Sequence, residues 1–251
     1  MSSTKATAPS PNIAGVLVVS NDAVTIAQLN ESMGKLAMSA EIRPEVPTAL
    51  GLLNSQKFEA VMVDFKLGQA QAIIEKIRLS PSNRTAVIFA ITDSDAETAT
   101  AYKTGSNFVL RRPLSPSSID RNMRVAYGLI VRERRRYFRC PVEIPAVISR
   151  PDAEIRGQTV NISEGGIAIT TSVPLGPGIK VQVEFTLPGH KSRFAVGAAV
   201  CWCKDTYLGL QFTSLSPQVS TELQEWLAHR LEESLPSSVT DKFRNIESAP
   251  H

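Results

Sequence analysis

Residues 132–148 read RERRRYFRCPVEIPAVI, and the patterning of the chain changes character inside this stretch, near residue 139. Upstream, short apolar runs alternate with helical periodicity. GVLVVS (15–20), AVMVD (60–64) and AVIFAIT (86–92) are apolar almost throughout, as strands covered on both faces of a parallel sheet must be. A weaker strand is expected at 39–43 and another at NFVLRRP (107–113). Helices are expected over 22–37, from Pro47 through Leu53, over 69–78, over 96–104 with Gly105 as the stop, and from Pro116 onward. In the last of these, Ile119, Met123, Ala126, Tyr127 and Ile130 share one helical face, and Ser115-Pro116 supply the N-cap and first position. Five βα units of this kind predict an α/β doubly wound parallel sheet.

Downstream the period changes. PVEIPAVI (141–148), GQTVNIS (157–163), GIAITTS (166–172), KVQVEFTL (180–187), FAVGAAVCWC (194–203) and YLGLQF (207–212) read as short strands. Pro151-Asp152, Gly165-Gly166, Gly176-Pro177-Gly178 and Pro188-Gly189 separate them as turns. Evenly spaced short strands predict a small antiparallel β-barrel or sandwich. One helix closes it, with Ser216 as N-cap, Pro217 next, and an apolar stripe of Val219, Leu223, Trp226, Leu227 and Leu231. The expected organisation is a disordered tail at 1–12, an α/β domain at 13–131, an Arg-rich linker at 132–140, a barrel with its helix at 141–235 and a second disordered tail at 236–251.

Composition bounds the function. The chain has 251 residues, 43% apolar and 20% charged, an ordinary globular balance that excludes collagen-like, wholly disordered and disulfide-scaffold classes. The longest apolar runs fall far below the ~20 residues that span a bilayer. The opening residues lack the apolar core of a secretory signal. Three cysteines, an odd number, fit a reducing cytoplasm, and cytoplasmic is the expected location. Net charge is +3, but residues 111–139 hold nine arginines against Asp120 and Glu133, a net of +7, so the remainder carries −4. One basic joint in an otherwise acidic chain points to an anionic partner or to a solvated charged helix.

Two constellations flank that joint. Arg135 and Arg139 are four apart, a spacing that places both on one face of a helix or a strand, where two guanidinium forks can clamp an anion or stack on a ring. Asn161 and Ser163, two apart at a strand end, offer short donors and acceptors suited to a base edge. Gly165 and Gly166 behind them permit positive φ and close backbone approach. Together, Arg135-x-x-x-Arg139 and, 22 residues beyond Arg139, Asn161-x-Ser163-x-x-Gly166 resemble the PilZ domain over roughly 133–232. VCWCKDTYLGLQF resembles that family's last hairpin, with Gly209 and Phe212 in place. The resemblance implies a barrel that binds cyclic di-GMP and no catalysis. It implies that Arg135 and Arg139 hold guanine and phosphate, that Asn161 and Ser163 bond a guanine edge, and that Gly166 leaves room for it. Arg134 would support a second, stacked ligand molecule.

The first half resembles a response-regulator receiver domain over about 13–131. That family carries an acid pair for Mg²⁺, a phosphoacceptor Asp, a Thr or Ser, and a Lys before Pro. Here Asp64 stands at the phosphoacceptor position and Thr92 at the hydroxyl position. The acid pair falls on Ser20-Asn21, with Asp22 one place late, and the Lys position is Arg112. Neither Ser20 nor Asn21 carries charge for Mg²⁺, which is usually held through one or two carboxylates. Asp22 is better suited to capping the following helix. Lys66 offers a second cation for Asp64. The expectation is a degenerate receiver with no cofactor, in which these residues disfavour Mg²⁺; a working receiver phosphorylated at Asp64 is the lesser reading.

No other motif points to an enzyme. Cys201 and Cys203 share a face by strand alternation, expected inside the barrel, and have no partners at metal-ligand spacing. His229 lies on the last helix without a partner motif. The expected function is a cyclic di-GMP effector in which ligand orders an Arg-rich joint, mobile past Gly128, and an unidentified protein or a second copy reads the change. A ligand-free scaffold of two degenerate domains is the alternative. Nucleic acid is the weaker reading, because the remaining chain is acidic and the joint is poor in aromatics.

Overall fold

A computed structural model describes residues 14–235; the expected tails at 1–12 and 236–251 lie outside the described residues. Among the described residues the chain divides into two compact units, residues 14–134 with 234–235, and residues 135–233.

The first unit has a five-stranded parallel sheet of β1 (Ala14–Val19), β2 (Met38–Arg43), β3 (Ala60–Asp64), β4 (Val87–Thr92) and β5 (Phe108–Arg111). Their order is β2-β1-β3-β4-β5, the flavodoxin-like order of doubly wound sheets. Between them lie α1 (Ala23–Lys35), α2 (Val46–Ser55), α3 (Ala70–Leu79) and α4 (Asp95–Thr104); α5 (Pro116–Tyr137) follows β5. Alternation along β1 divides two cores. Val16 and Val18 join Leu29 and Met33 of α1 and Ile119, Met123, Ala126 and Ile130 of α5. Leu17 and Val19 join Leu53 of α2 and Ile73, Ile74 and Ile77 of α3. Both faces are covered, which is why these strands read as unbroken apolar runs.

The second unit has β6 (Cys140–Pro141), β7 (Pro145–Arg150), β8 (Ala153–Ser163), β9 (Gly166–Thr170), β10 (Lys180–Phe185), β11 (Phe194–Lys204), β12 (Tyr207–Ser214) and α6 (Pro217–Glu233). Strands β8-β7-β10-β11-β12-β9 run in that order, and the β8–β9 pairing closes them into a six-stranded antiparallel barrel. β6 pairs with β8 beyond the start of β7, on the side of β8 away from β9. The interior takes Ile148, Ile162, Ile169, Val183, Phe185, Phe194, Val196 and Leu208, and α6 covers it with Leu223, Leu227 and Leu231.

Three readings are corrected. α5 is continuous to Tyr137, so most of the stretch 132–140 expected as a linker is the end of this helix, and the unit boundary falls inside it, after Arg134. Cys201 is exposed rather than inside the barrel, because a register shift between Val200 and Trp202 breaks the alternation. Gly165 and Gly166 do not use positive φ.

Candidate functional site

The geometry of the basic joint begins with Phe138. α5 ends at Tyr137, the Phe138 N–H donates to the Arg135 carbonyl (3.1 Å), and the Phe138 ring is buried in the barrel core. Phe138 in, Arg139 out and Cys140 in is strand alternation starting before β6 itself. β6 then pairs with β8 in the register Cys140 to Ile162 and Pro141 to Asn161. Continuing that register by one step sets Arg139 opposite Ser163. An exposed arginine and the Asn161/Ser163 pair, 22 residues apart in the chain, are thereby neighbours on the outer surface of one sheet edge.

On β8, Ile162 is fully buried while Asn161 and Ser163 are half-buried, so the two polar groups face outward. The Ser163 hydroxyl donates to the Gly166 carbonyl (3.1 Å) and closes the β8–β9 turn. Gly166 has a steric reason of its own. A Cβ there would stand 2.2 Å from the Leu210 carbonyl oxygen, so this position admits no side chain. Gly165 is exposed, with open space around its would-be Cβ. Arg135 sits in the last turn of α5, half-buried. Arg134, expected to support a second ligand molecule, is directed elsewhere: its guanidinium lies 3.6 Å from the buried Glu59 carboxylate in the first unit.

One residue that the motif did not indicate shares the outer surface. The register runs from Pro141 through Asn161, Ala168 and Gly209 to Trp202, each paired with the next. Trp202 is 46% exposed, and its indole lies against the Gly209 backbone, where a Cβ would meet it at 2.1 Å. Ala168 and Gly209 form a low floor between the Asn161 amide at one end and an aromatic face at the other. The only trace in the sequence is a strand Trp followed by a strand Gly seven places later, which takes meaning from the register.

The pocket at the strand ends of the first unit is closed by a guanidinium. Asp64 is fully buried. Its Oδ1 accepts from Arg112 Nη1 (3.1 Å) and from the Lys66 backbone N–H (3.1 Å). Its Oδ2 accepts from Arg112 Nη2 (2.6 Å) and from the Ser20 hydroxyl (2.6 Å). Arg112 also stands 3.6 Å from Asp22 and 3.5 Å from Asp93, so one internal cation is ringed by three carboxylates. Burial is the largest influence on Arg112 and lowers its pKa. The hydrogen bonds and attraction to Asp64, helped by Asp93 and Asp22, outweigh it and raise the pKa above the ordinary arginine value. Asp22 caps α1, accepting from Val24 N–H and from the Thr25 hydroxyl. The Thr25 bond leads the causes that hold the Asp22 carboxyl below its usual range.

The other pocket residues are used differently. Asn21 is exposed, and the buried Thr92 hydroxyl bonds the Thr98 hydroxyl (3.0 Å). Lys66 serves Asp64 through its backbone, while its exposed ammonium takes no part; Arg112 is the neutralising cation. The Mg²⁺ implied by the receiver likeness does not fit these residues. Both members of the acid pair that the family pattern sets beside Asp64 are absent, replaced by Ser20 and Asn21, and a guanidinium fills the space among Asp22, Asp64 and Asp93. Asp93 joined this cluster without any signal in the sequence beyond following Thr92.

The comparisons with known proteins bear on the two units separately. Residues 133–229 match the family model described as PilZ domain. The chain is 31% identical over 106 residues to the cellulose synthase catalytic subunit [UDP-forming] of Xanthomonas axonopodis pv. citri (strain 306); the match covers 41% of this chain and 14% of that relative. Among solved structures, the PilZ domain of CeSA from a cellulose-synthesizing bacterium is 19% identical with a TM-score of 0.31, covering 37% of this chain and 96% of that one. The Bacillus subtilis inhibitor of motility MotI/DgrA is 22% identical with a TM-score of 0.35, covering 38% and 50%. The receiver domain of the sensor histidine kinase PA1611 from Pseudomonas aeruginosa PAO1 is 18% identical with a TM-score of 0.41, covering 46% and 98%.

Proposed function

With residues 133–229 a PilZ domain, we propose that the chain is a cyclic di-GMP-binding effector whose receiver-like unit is not a phosphoacceptor. The observation that carries the ligand reading is the β6–β8 register, which sets Arg139 beside Ser163 and Asn161 on one outer surface. The ligand is a dianion with two guanine faces. Arg135 and Arg139 pair its phosphates and stack on its bases. Asn161 and Ser163 bond a guanine edge, and Trp202 offers the second flat face. Since α5 is helical through Tyr137, the part that the ligand orders is the short bend from Tyr137 to Cys140, which joins the end of α5 to the barrel. A protein partner reads the altered bend. No helix among the described residues is long and apolar enough to cross a membrane.

In the first unit, every oxygen of Asp64 is already engaged and no Mg²⁺ set is present, so the unit acts through its surface rather than through phosphoryl transfer. Neither domain type is catalytic, and the chain is not proposed as an enzyme.

Titration calorimetry of the full chain with cyclic di-GMP, with GTP as control, tests the ligand reading. Micromolar or tighter binding is expected, absent with GTP. A charged hydrogen bond contributes about 1.5–3 kcal/mol, so Arg139→Ala should weaken binding by about tenfold to over a hundredfold. Arg135→Ala/Arg139→Ala should abolish it. No heat, together with no displacement of a labelled ligand, would overturn the reading.

A further inference from the structure

The outward face of α5 in the first unit belongs to neither site. The buried face of the helix is Ile119, Met123, Ala126, Tyr127, Ile130 and Val131. On the opposite side, Arg121, Arg124, Val125, Gly128, Leu129 and Arg132 are exposed, Val125 to 66% and Leu129 to 44%. The two acids of the helix are turned to the body of the unit. Asp120 pairs with Lys35 of α1 (3.2 Å), and Glu133 pairs with Lys57 (3.1 Å). The outward face therefore carries three arginines and an apolar pair four residues apart, and the carboxylate nearest to it is Asp120, which is turned to Lys35 and also attracted by Arg124. Gly128 lies between them. A mid-helix glycine weakens the helix by about 1 kcal/mol relative to alanine, and a Cβ at this position would meet nothing of the chain within 4 Å. Internal packing gives no reason for the glycine; close approach of something outside does.

We propose that this face docks an acidic, amphipathic segment of a partner protein. The charge pattern selects among occupants. In a second copy packed antiparallel about Gly128, Arg124 of one helix would meet Arg132 of the other, and like charges in contact are strongly disfavoured. A phosphate backbone would satisfy the arginines and leave Val125 and Leu129 uncovered, and the face carries no aromatic for a base. A helix with carboxylates flanking an apolar patch matches both features at once. The proposal does not depend on ligand binding by the barrel, since its residues all precede Arg134.

The test places the photo-cross-linking residue p-benzoylphenylalanine at position 129 of the full chain in its native cells, with the same residue at position 79 as reference. Leu79 is 83% exposed at the end of α3. The expected result is an adduct specific to position 129 whose cross-linked peptide is rich in Asp and Glu. Arg121→Glu/Arg132→Glu should reduce that adduct at least tenfold with Tm unchanged. If the reversed pair lowers Tm, Arg121→Ala/Arg132→Ala is read instead. A cross-link to a second copy of this chain, a nuclease-sensitive adduct or a lipid adduct overturns the proposal. So does an equal yield at positions 129 and 79, or an adduct that survives loss of both arginines.

Discussion

At the scale of single residues, the two adjacent glycines of the β8–β9 turn have opposite standing. Both read alike in sequence, as turn residues free to take positive φ, and neither takes it. Gly166 is required because a Cβ would collide with the Leu210 carbonyl of a neighbouring strand, backbone that cannot move aside. Gly165 has open space on its exposed side. Gly166→Ala should therefore cost about 1–3 kcal/mol, the range for overpacking in well-packed structure. Gly165→Ala should stay within about 0.5 kcal/mol of the parent, as surface changes do. Urea denaturation of the two variants checks this, and equal midpoints would refute it. The motif pointed to the residue, but its steric reason lies in a strand more than forty residues away, which no local pattern encodes. The same holds for Arg112. Its place before Pro113 was legible, yet only the fold shows one guanidinium gripping Asp64 while facing Asp22 and Asp93.

At the scale of elements, α5 is the most informative. Its buried stripe was legible from periodicity, because Ile119, Met123, Ala126, Tyr127 and Ile130 repeat at helical spacing and all are buried. Its last turn was not. Within a run of arginines, Glu133 looks like a minor counter-charge on a solvated helix. In the structure it is 7% exposed and accepts from Lys57 Nζ (3.1 Å) and the Thr85 hydroxyl (2.9 Å). One residue on, Arg134 reaches Glu59, whose other oxygen accepts from the Gly15 N–H (2.7 Å). Lys57 and Glu59 precede β3, Thr85 precedes β4 and Gly15 is the second residue of β1, so the end of α5 is tied to the N-terminal end of the parallel sheet immediately before Arg135. Glu133→Ala removes the carboxylate acceptor from a largely buried ammonium and from a hydroxyl and should cost about 1–3 kcal/mol. Glu133→Gln keeps an acceptor for Thr85 and should cost less. Thermal melts of both variants order the two effects; a larger loss for the glutamine would contradict the ion-pair account. Long-range pairing of this kind, 76 residues apart in sequence for Lys57 and Glu133, leaves no periodic trace.

At the scale of the whole molecule, the change of period near residue 139 announced two cores, and among the described residues the sheet unit and the barrel unit each have core clusters of their own. The chain carries its own reporter for this division. Both tryptophans, Trp202 and Trp226, belong to residues 135–233, whereas five of the six α-helices among the described residues begin in the first unit. Tryptophan fluorescence therefore follows the barrel, and far-ultraviolet circular dichroism is dominated by the α/β unit. Arg112→Ala leaves the buried Asp64 carboxylate without its cation, a loss of about 3–5 kcal/mol for a buried pair broken on one side. It should shift the dichroism midpoint in urea and leave the fluorescence midpoint in place. Gly166→Ala should do the reverse. Non-coincident transitions of this kind are the sign that one free energy of unfolding does not describe the chain. If both variants instead move both probes together, the helix that crosses from one unit to the other couples them into one cooperative structure, and separate stabilities have no meaning for this protein.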